Sequence, residues 1–403
     1  MKRTKHGDGF KGKPAVGLFA LLLVGTAALA QPRVQPAPDT VVLPRSAQAG
    51  GGAQALRETA AAWRRDPRNE AAALAYAREA FVLGLAEGDL RWYGAARTAL
   101  EPWWTAPAPD APMAFMRALV RQGFHDFKGG IADLNTAIAQ DPARAEYRSW
   151  RFSLLLLTTQ LEAARADCAA IAQRVGPDEG AACDAILRVR TGRAALALPV
   201  FERLVALPDY QGPQAQDWLR YHQGEALRVA GRPEAAIAVW QAHLQARPRA
   251  HLVRSALADL LNQQGRHADA LRLSLFEPAP SDALLVQAVL AARALKDPRA
   301  ERLDEQALQR LQAQDARGEA LIERPQMQYW IRTGRDVARG LDLAARNWAE
   351  QQEPADAVLL AEAALALNQP QRAAPVLDWL AATGYTDPAL NPLAQRLRQR
   401  LGR

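Results

Sequence analysis

Residues 217–275 read DWLRYHQGEALRVAGRPEAAIAVWQAHLQARPRAHLVRSALADLLNQQGRHADALRLSL, and they contain one pattern twice, 34 residues apart. Five residues of the first copy, Leu227, Gly231, Arg232, Ala236 and Ile237, recur as Leu261, Gly265, Arg266, Ala270 and Leu271. A repeat of this length is typical of a helix–turn–helix unit, which buries its apolar face only by stacking on its neighbours. The stretch therefore predicts a solenoid in which each unit touches only the units beside it.

Helical patterning continues outward from this stretch in both directions, without the alternating apolar pattern of strands. The predicted helix pairs are 69–86 with 91–103, 111–123 with 127–140, 144–158 with 161–174, 179–191 with 194–206, 213–230 with 233–246, 249–264 with 267–276, 281–295 with 299–316, 319–333 with 336–350, and 355–368 with 370–383. A helix over 388–401 is expected to cap the array, and the pattern at 54–65 predicts a short cap at the other end. The predicted fold class is all-α, with about eight to nine pairs.

The residues between the helices have mechanical reasons to be there. Gly231 and Gly265 follow the first helix of their pairs, where a residue that accepts positive φ ends a helix at little cost. Pro233 begins the next helix, where its missing N–H is not needed. These residues therefore mark turns inside pairs rather than boundaries between domains.

The same residues bring the chain close to a known family. Gly231-Arg232, Ala236, Trp240 and Pro248 resemble the tetratricopeptide repeat (TPR), which has a small residue before the turn, an alanine and an aromatic on the second helix, and a closing proline. The match is good over 217–250, fair over 251–276, 111–142 and 145–177, and loose elsewhere. The resemblance implies a right-handed superhelical solenoid, and the mature chain as a whole resembles uncharacterised exported bacterial proteins of this kind.

The resemblance also implies where a partner would bind. In the family, positions 2, 5, 9, 12 and 13 of the first helices line the concave side and contact ligands. Carried over to the units that start at Ala145, Asp217 and His251, these positions include a predicted partner-binding set of Ser149, Trp218, Tyr221, Glu225, Arg228, Asp259, Asn262 and Gln263. We expect a groove across 145–265 to bind a segment of another envelope protein. A self-assembling envelope scaffold and an enzyme with a non-standard site are the alternatives.

The N-terminus is predicted to be a cleaved secretory signal. Five basic residues precede an apolar run over 15–30, which ends in Ala28-Leu29-Ala30, so we expect cleavage after Ala30 and a periplasmic or secreted protein. The alternative, a membrane anchor, is disfavoured because sixteen residues fall short of the ~20 that a span needs. Residues 31–54, rich in Pro and Gly, are expected to form a flexible linker, and residues 55–403 to form the solenoid.

Charge and motifs narrow the function further. Residues 1–30 hold five Lys/Arg and one acid, which leaves 45 basic and 42 acidic residues, or +3, after cleavage. That excess is too small to predict a nucleic-acid surface. No H-E-x-x-H, G-x-S-x-G or phosphate-loop motif occurs. His243 and His251 could in principle share a metal and Glu225 and Asp259 could face each other, but we expect no catalytic, cofactor or metal site.

Cys168 and Cys183 are predicted to form a disulfide. They are fifteen residues apart, on the second helix of one pair and the first helix of the next, which should be antiparallel neighbours. An even number of cysteines in an oxidising compartment favours a bond. The alternative is two buried thiols that pack as small apolar side chains.

Overall fold

A computed structural model describes residues 51–87, 90–277, 280–316 and 324–403. The predicted leader, its cleavage after Ala30 and the linker as far as residue 50 lie outside the described residues. The first helix begins at Gly51, so the last four residues of the predicted linker are helical instead.

The described residues form twenty α-helices, and no described residue lies in a strand. The helices are α1 Gly51–Arg65, α2 Glu70–Glu87, α3 Leu90–Ala99, α4 Ala111–Gly123, α5 Phe127–Gln140, α6 Ala145–Leu157, α7 Leu161–Arg174, α8 Pro177–Arg190, α9 Ala194–Ala206, α10 Pro213–Val229, α11 Pro233–Ala246, α12 His251–Gln263, α13 His267–Ser274, α14 Asp282–Leu295, α15 Ala300–Ala316, α16 Arg324–Arg332, α17 Val337–Glu350, α18 Pro354–Ala366, α19 Ala374–Thr383 and α20 Asn391–Leu401. The all-α prediction is confirmed. Within the described ranges, no helix has the length and apolar character needed to cross a membrane.

Most helix ends lie within a few residues of the predicted ones, and α4 and α5 coincide with them. The predicted helix over 319–333 lies partly outside the described residues, since 317–323 are not described. Its described part is α16, which contains Pro325.

The turns inside successive pairs share one geometry. A residue with positive φ occupies the same position in eight of them: His125, Thr159, Gly192, Gly231, Gly265, Lys296, Gly334 and Asn368. The next residue donates its backbone N–H to a carbonyl in the last turn of the first helix, as in Arg232 N to Leu227 O at 2.9 Å and Gln160 N to Leu155 O at 2.8 Å. This bond satisfies a carbonyl that the helix end would leave without a partner. The turn therefore forms with glycine, histidine, threonine, lysine or asparagine at this position.

Buried apolar side chains in the described part of the chain form two clusters. One extends from Ala60 to Leu154 and the other from Phe152 to Leu397, so that α6 contributes to both. Arg151 of α6 donates to Asn135 of α5 at 2.7 Å and to Asp167 of α7 at 2.8 Å. Polar contacts thus connect α6 to the helices on either side of it.

Cys168 of α7 and Cys183 of α8 are joined in the structure, with their Cα atoms 5.4 Å apart. Both side chains are buried. The bond connects one helix pair to the next, at the place where the sequence predicted it.

The C-terminal helices contact pairs far away in the sequence. Trp379 Nε1 donates to Thr159 Oγ1 at 3.0 Å, and Gln352 N donates to Leu157 O at 2.8 Å. Arg228 Nη1 donates to Asp387 Oδ2 at 2.8 Å. The expectation that each unit touches only its neighbours is therefore wrong here, because local repeat patterns contain no information about contacts some 160 to 220 residues apart.

Candidate partner-binding site

The first helices α10, α12, α14, α16 and α18 carry polar side chains that bond to other parts of the chain. On α10, Arg228 forms an ion pair with Glu225 at 3.1 Å and a second one with Asp387 at 2.8 Å. Tyr385 Oη also donates to Asp387, at 2.7 Å. Burial acts to raise the pKa of Asp387, but the charge of Arg228 and the hydrogen bonds from Tyr385, Arg228 and Ala389 N together hold that pKa below its usual value. Arg228, predicted to contact a partner, is thus engaged by the chain's own C-terminal residues.

On α12, Asp259 and Asn262 are also engaged within the chain. Asp259 Oδ1 accepts from Gln287 Nε2 at 3.1 Å, Gln328 Nε2 at 3.3 Å and Arg332 Nη1 at 3.0 Å. Asn262 Nδ2 donates to the backbone oxygen of Gln287 at 3.0 Å and to its Oε1 at 2.9 Å.

Arg332 extends this network to α18, where its Nε donates to Glu362 at 3.1 Å. The resulting polar ladder consists of Asp259, Asn262, Gln287, Gln328, Arg332 and Glu362. Its members all have hydrogen-bond partners, with Gln287 and Gln328 buried and the charged members partly exposed, and such networks help to fix the register of the elements that they join. The ladder therefore aligns four successive first helices.

A polar cavity of about 260 Å³ lies where α12, α14, α16 and α18 begin. His251, Ser281, Arg324 and Glu353 line it from these helix starts, Asn347 lines it from α17, and His125 lines it from the turn after α4. The cavity thus collects side chains from helix pairs that are far apart in the sequence.

The charged groups of the cavity neutralise one another. Arg324 Nε donates to Asp356 at 2.7 Å, and the same guanidinium forms an ion pair with Glu353. Burial acts to raise the pKa of Glu353, but the charges of Arg324 and Arg190 overcome it and lower that pKa to about 2. Burial raises the pKa of Asp356 above its usual value.

Neutral polar groups complete the cavity. Burial lowers the pKa of His125 and of His251, so both imidazoles are uncharged at neutral pH. Asn347 is only 3% exposed, and its Nδ2 approaches Asp356 without making a hydrogen bond of ordinary geometry. A buried donor in this state costs free energy, which a ligand oxygen would recover.

Two large apolar side chains stay exposed at the same repeat position. Trp218 of α10 is 38% exposed and packs edge-on against His222, with ring centroids 4.5 Å apart. Leu252 of α12 is 58% exposed and adjoins His251 in sequence, which lines the cavity. Tyr221 is half-buried, and burial raises its pKa.

The structure separates several residues that the sequence had grouped. The described hydrogen bonds of Ser149 stay within α6, and the exposed Gln263 donates to Asp259 at 2.7 Å. His243 pairs with Asp217 at 2.7 Å, whereas His251 pairs with Ser281 at 2.9 Å. No cluster of metal-binding side chains occurs among the described residues. Glu225 and Asp259, proposed to face each other, have different partners.

Sequence reasoning missed the C-terminal half of the site. Gln287, Gln328 and Arg332 lie in helices whose TPR match is loose, so no binding positions were carried over to them. A signal was present at Gln287, a single amide inside the apolar helix DALLVQAVLAARAL. A lone amide in such a helix needs a buried partner, which points to the next first helix.

The packing between α10 and α11 decides the type of repeat. Ala236 and Trp240 of α11 are fully buried, and Trp240 Nε1 donates to the backbone oxygen of Arg220 at 3.0 Å. A Cβ atom at Gly224 of α10 would overlap the Trp240 indole. Small residues thus admit a large aromatic between the two helices, as the resemblance implies. The fold is TPR-like.

No protein-family model matches this TPR-like chain, and no curated protein matches it. Among solved structures, a tetratricopeptide repeat protein from Parabacteroides merdae is 15% identical, with 66% of this chain and 91% of that chain covered and a TM-score of 0.34. Cut9–Hcn1 of the APC/C is 15% identical over 82% of this chain and 63% of that one, with a TM-score of 0.46. The P58(IPK) TPR domain is 15% identical over 82% and 97%, with a TM-score of 0.22.

Proposed function

We propose that this TPR-like protein binds a segment of a partner protein at the polar cavity and at the exposed side chains Trp218 and Leu252. The observation that carries the proposal is Asn347, whose buried amide lacks a well-formed hydrogen bond in a cavity whose charges are already paired. Backbone carbonyls of an extended peptide can accept from such a donor, and its apolar side chains can cover Trp218 and Leu252. The interaction depends on neutral hydrogen bonds and apolar contact rather than on net charge.

A pull-down with matched variants tests this role. We expect the wild-type protein to capture a specific partner from the native envelope, and the double variant Trp218→Ala, Leu252→Ser to lose it. Leu196→Ser is the control, because Leu196 is 57% exposed on the second helix α9. Circular dichroism should show equal helicity in the three proteins. Equal capture by all three would contradict the proposal.

We further propose that the protein acts outside the cytoplasm, in the periplasm or as a secreted protein. The basic and apolar leader supports this, as does the pairing of Cys168 with Cys183, because disulfides persist in oxidising compartments. N-terminal sequencing of the protein isolated from cells should begin at Gln31. A cytoplasmic protein that begins at Met1 would contradict this proposal.

A further inference from the structure

We propose that the surface around Arg228 is a receptor for a Tyr–x–Asp segment, which the chain's own residues 384–390 occupy until a partner of the same chemistry displaces them. The inference rests on the proposed function, since it names a second contact region and the kind of partner segment that fits it. The occupying stretch reads GYTDPAL and connects α19 to α20.

The occupying segment presents one carboxylate at the centre of its contacts. Asp387 is 2% exposed, and its Oδ2 accepts from Arg228 at 2.8 Å and from Tyr385 Oη at 2.7 Å. Its Oδ1 accepts from the backbone N–H of Ala389 at 2.7 Å. The tyrosine and the aspartate therefore act as one unit, with the hydroxyl and the turn backbone holding the carboxylate toward the guanidinium.

The receptor surface remains paired when the segment leaves. Arg228 donates to Glu225 through Nε at 3.2 Å and through Nη2 at 3.1 Å, and only its Nη1 is given to Asp387. Release of the segment consequently leaves no isolated charge on α10, and an unpaired buried charge is the usual large cost of breaking such a contact. Glu225 also keeps the guanidinium in position for an incoming carboxylate.

Two glycine turns give this surface its shape. A Cβ atom at Gly192 would overlap the carbonyl oxygen of Gly384, and one at Gly231 would lie 3.8 Å from Cγ of Pro388. The equivalent turn positions in the two preceding pairs hold His125 and Thr159, whose side chains would fill that space. The segment therefore packs against two turns, at Gly192 and Gly231, that have no side chain at this position. Its fit depends on the shape of the backbone as well as on charge.

Release of the segment involves a small part of the molecule. The segment is followed by α20, in which Ala394 and Leu397 are the buried residues. The apolar surface that α20 itself contributes is thus limited. The segment's own Tyr385 and Leu390 are buried as well, and a partner with an aromatic and an acidic residue would restore equivalent contacts.

A labelled peptide of residues 381–392, AATGYTDPALNP, tests the receptor directly in the full chain. We expect it to bind the variant Tyr385→Ala, Asp387→Ala at least tenfold more tightly than the wild type, because the variant vacates the surface. The same peptide with asparagine in place of its aspartate should bind at least tenfold more weakly. Addition of Arg228→Ala to the variant should abolish binding. Absence of binding to the folded variant would overturn the inference.

Hydrogen exchange keeps the inference testable if that variant fails to fold. In the wild type, a large excess of the peptide should accelerate exchange of the amides over 384–401 and leave those of α4 unchanged. Unchanged exchange over 384–401 would overturn the inference. The two proposals can fail separately, because partner capture through Trp218 and Leu252 is measured without the peptide. Loss of peptide binding with normal capture would remove only the inference made here.

Discussion

Gly224 shows how a single residue sets the spacing of two helices. A Cβ atom there would overlap the indole of Trp240, which is fully buried between α10 and α11. Gly94 in α3 is different, since a Cβ atom at that position would meet nothing within 4 Å. The two glycines therefore have opposite roles, although both lie inside helices.

The change Gly224→Ala is expected to lower the free energy of unfolding by about 1–3 kcal/mol, because the core has to shift to admit the methyl group. The control, Gly94→Ala, should raise it by roughly 0.5–1 kcal/mol, since alanine restricts the unfolded chain and suits a helix. Urea unfolding followed by circular dichroism measures both. If Gly224→Ala left the free energy of unfolding unchanged, this would contradict the prediction and show that Trp240 can move to admit the methyl group.

His222 should make stability depend on pH. Burial, together with Arg190, lowers its pKa to about 3 against the opposing charge of Glu353. Between pH 3 and 6.5 the unfolded chain therefore binds more protons, so the free energy of unfolding rises with pH by up to about 1.4 kcal/mol per pH unit and levels off above 6.5. His222→Phe keeps the ring and should flatten the slope between pH 5 and 6.5. An unchanged slope would assign the dependence to other groups.

At the scale of helices and turns, the sequence was a good guide. Glycine and proline positions predicted most helix ends, because positive φ and the missing proline N–H act locally. His125 and Thr159 adopt the same positive φ as the glycines, which no local rule would have assigned to them. Their turns form because the whole hairpin, and not the turn residue alone, determines the geometry.

The link between α7 and α8 gives a prediction at this scale. Opening the bond between Cys168 and Cys183 should lower the free energy of unfolding by about 3 kcal/mol, the value for a closed loop of this length. The comparison is between oxidised and reduced protein, with Cys168→Ala, Cys183→Ala as the reference that reductant should not affect. Thiol labelling of the denatured, unreduced protein should detect no free cysteine. Two labelled cysteines would contradict the bond.

Across the molecule, the repeat pattern places polar residues on first helices but does not predict which residues they bond to. Arg228 and Asp259 were recognised as polar positions on first helices. Their partners Asp387 and Arg332 lie 159 and 73 residues further along the chain, in units where the repeat pattern is weak. Hydrophobic periodicity and repeat spacing report on neighbours, so they could not reveal contacts at that separation.

The contact between Trp379 and Thr159 is expected to contribute to the stability of the whole array. Thr159→Val keeps the branched side chain but removes the acceptor, and Trp379→Phe removes the donor. A double-mutant cycle should give a coupling of about 0.5–1.5 kcal/mol. Thr136→Val is the control partner, because Thr136 Oγ1 bonds only within its own helix in the described contacts, to Ala132 O at 3.2 Å. A second cycle, with Thr136→Val in place of Thr159→Val, should be additive. Additivity in the Thr159–Trp379 cycle as well would contradict the contact.

The return of the C-terminus to the middle pairs also fixes a time order for synthesis. Thr159 and Arg228 leave the ribosome long before Trp379 and Asp387, and at synthesis rates of roughly 5–20 residues per second the delay is on the order of ten seconds or more. During that interval α6 to α10 lack the contacts that Trp379 and Asp387 later make with Thr159 and Arg228. A chaperone that shields newly made protein should therefore associate most strongly with chains arrested shortly before residue 379.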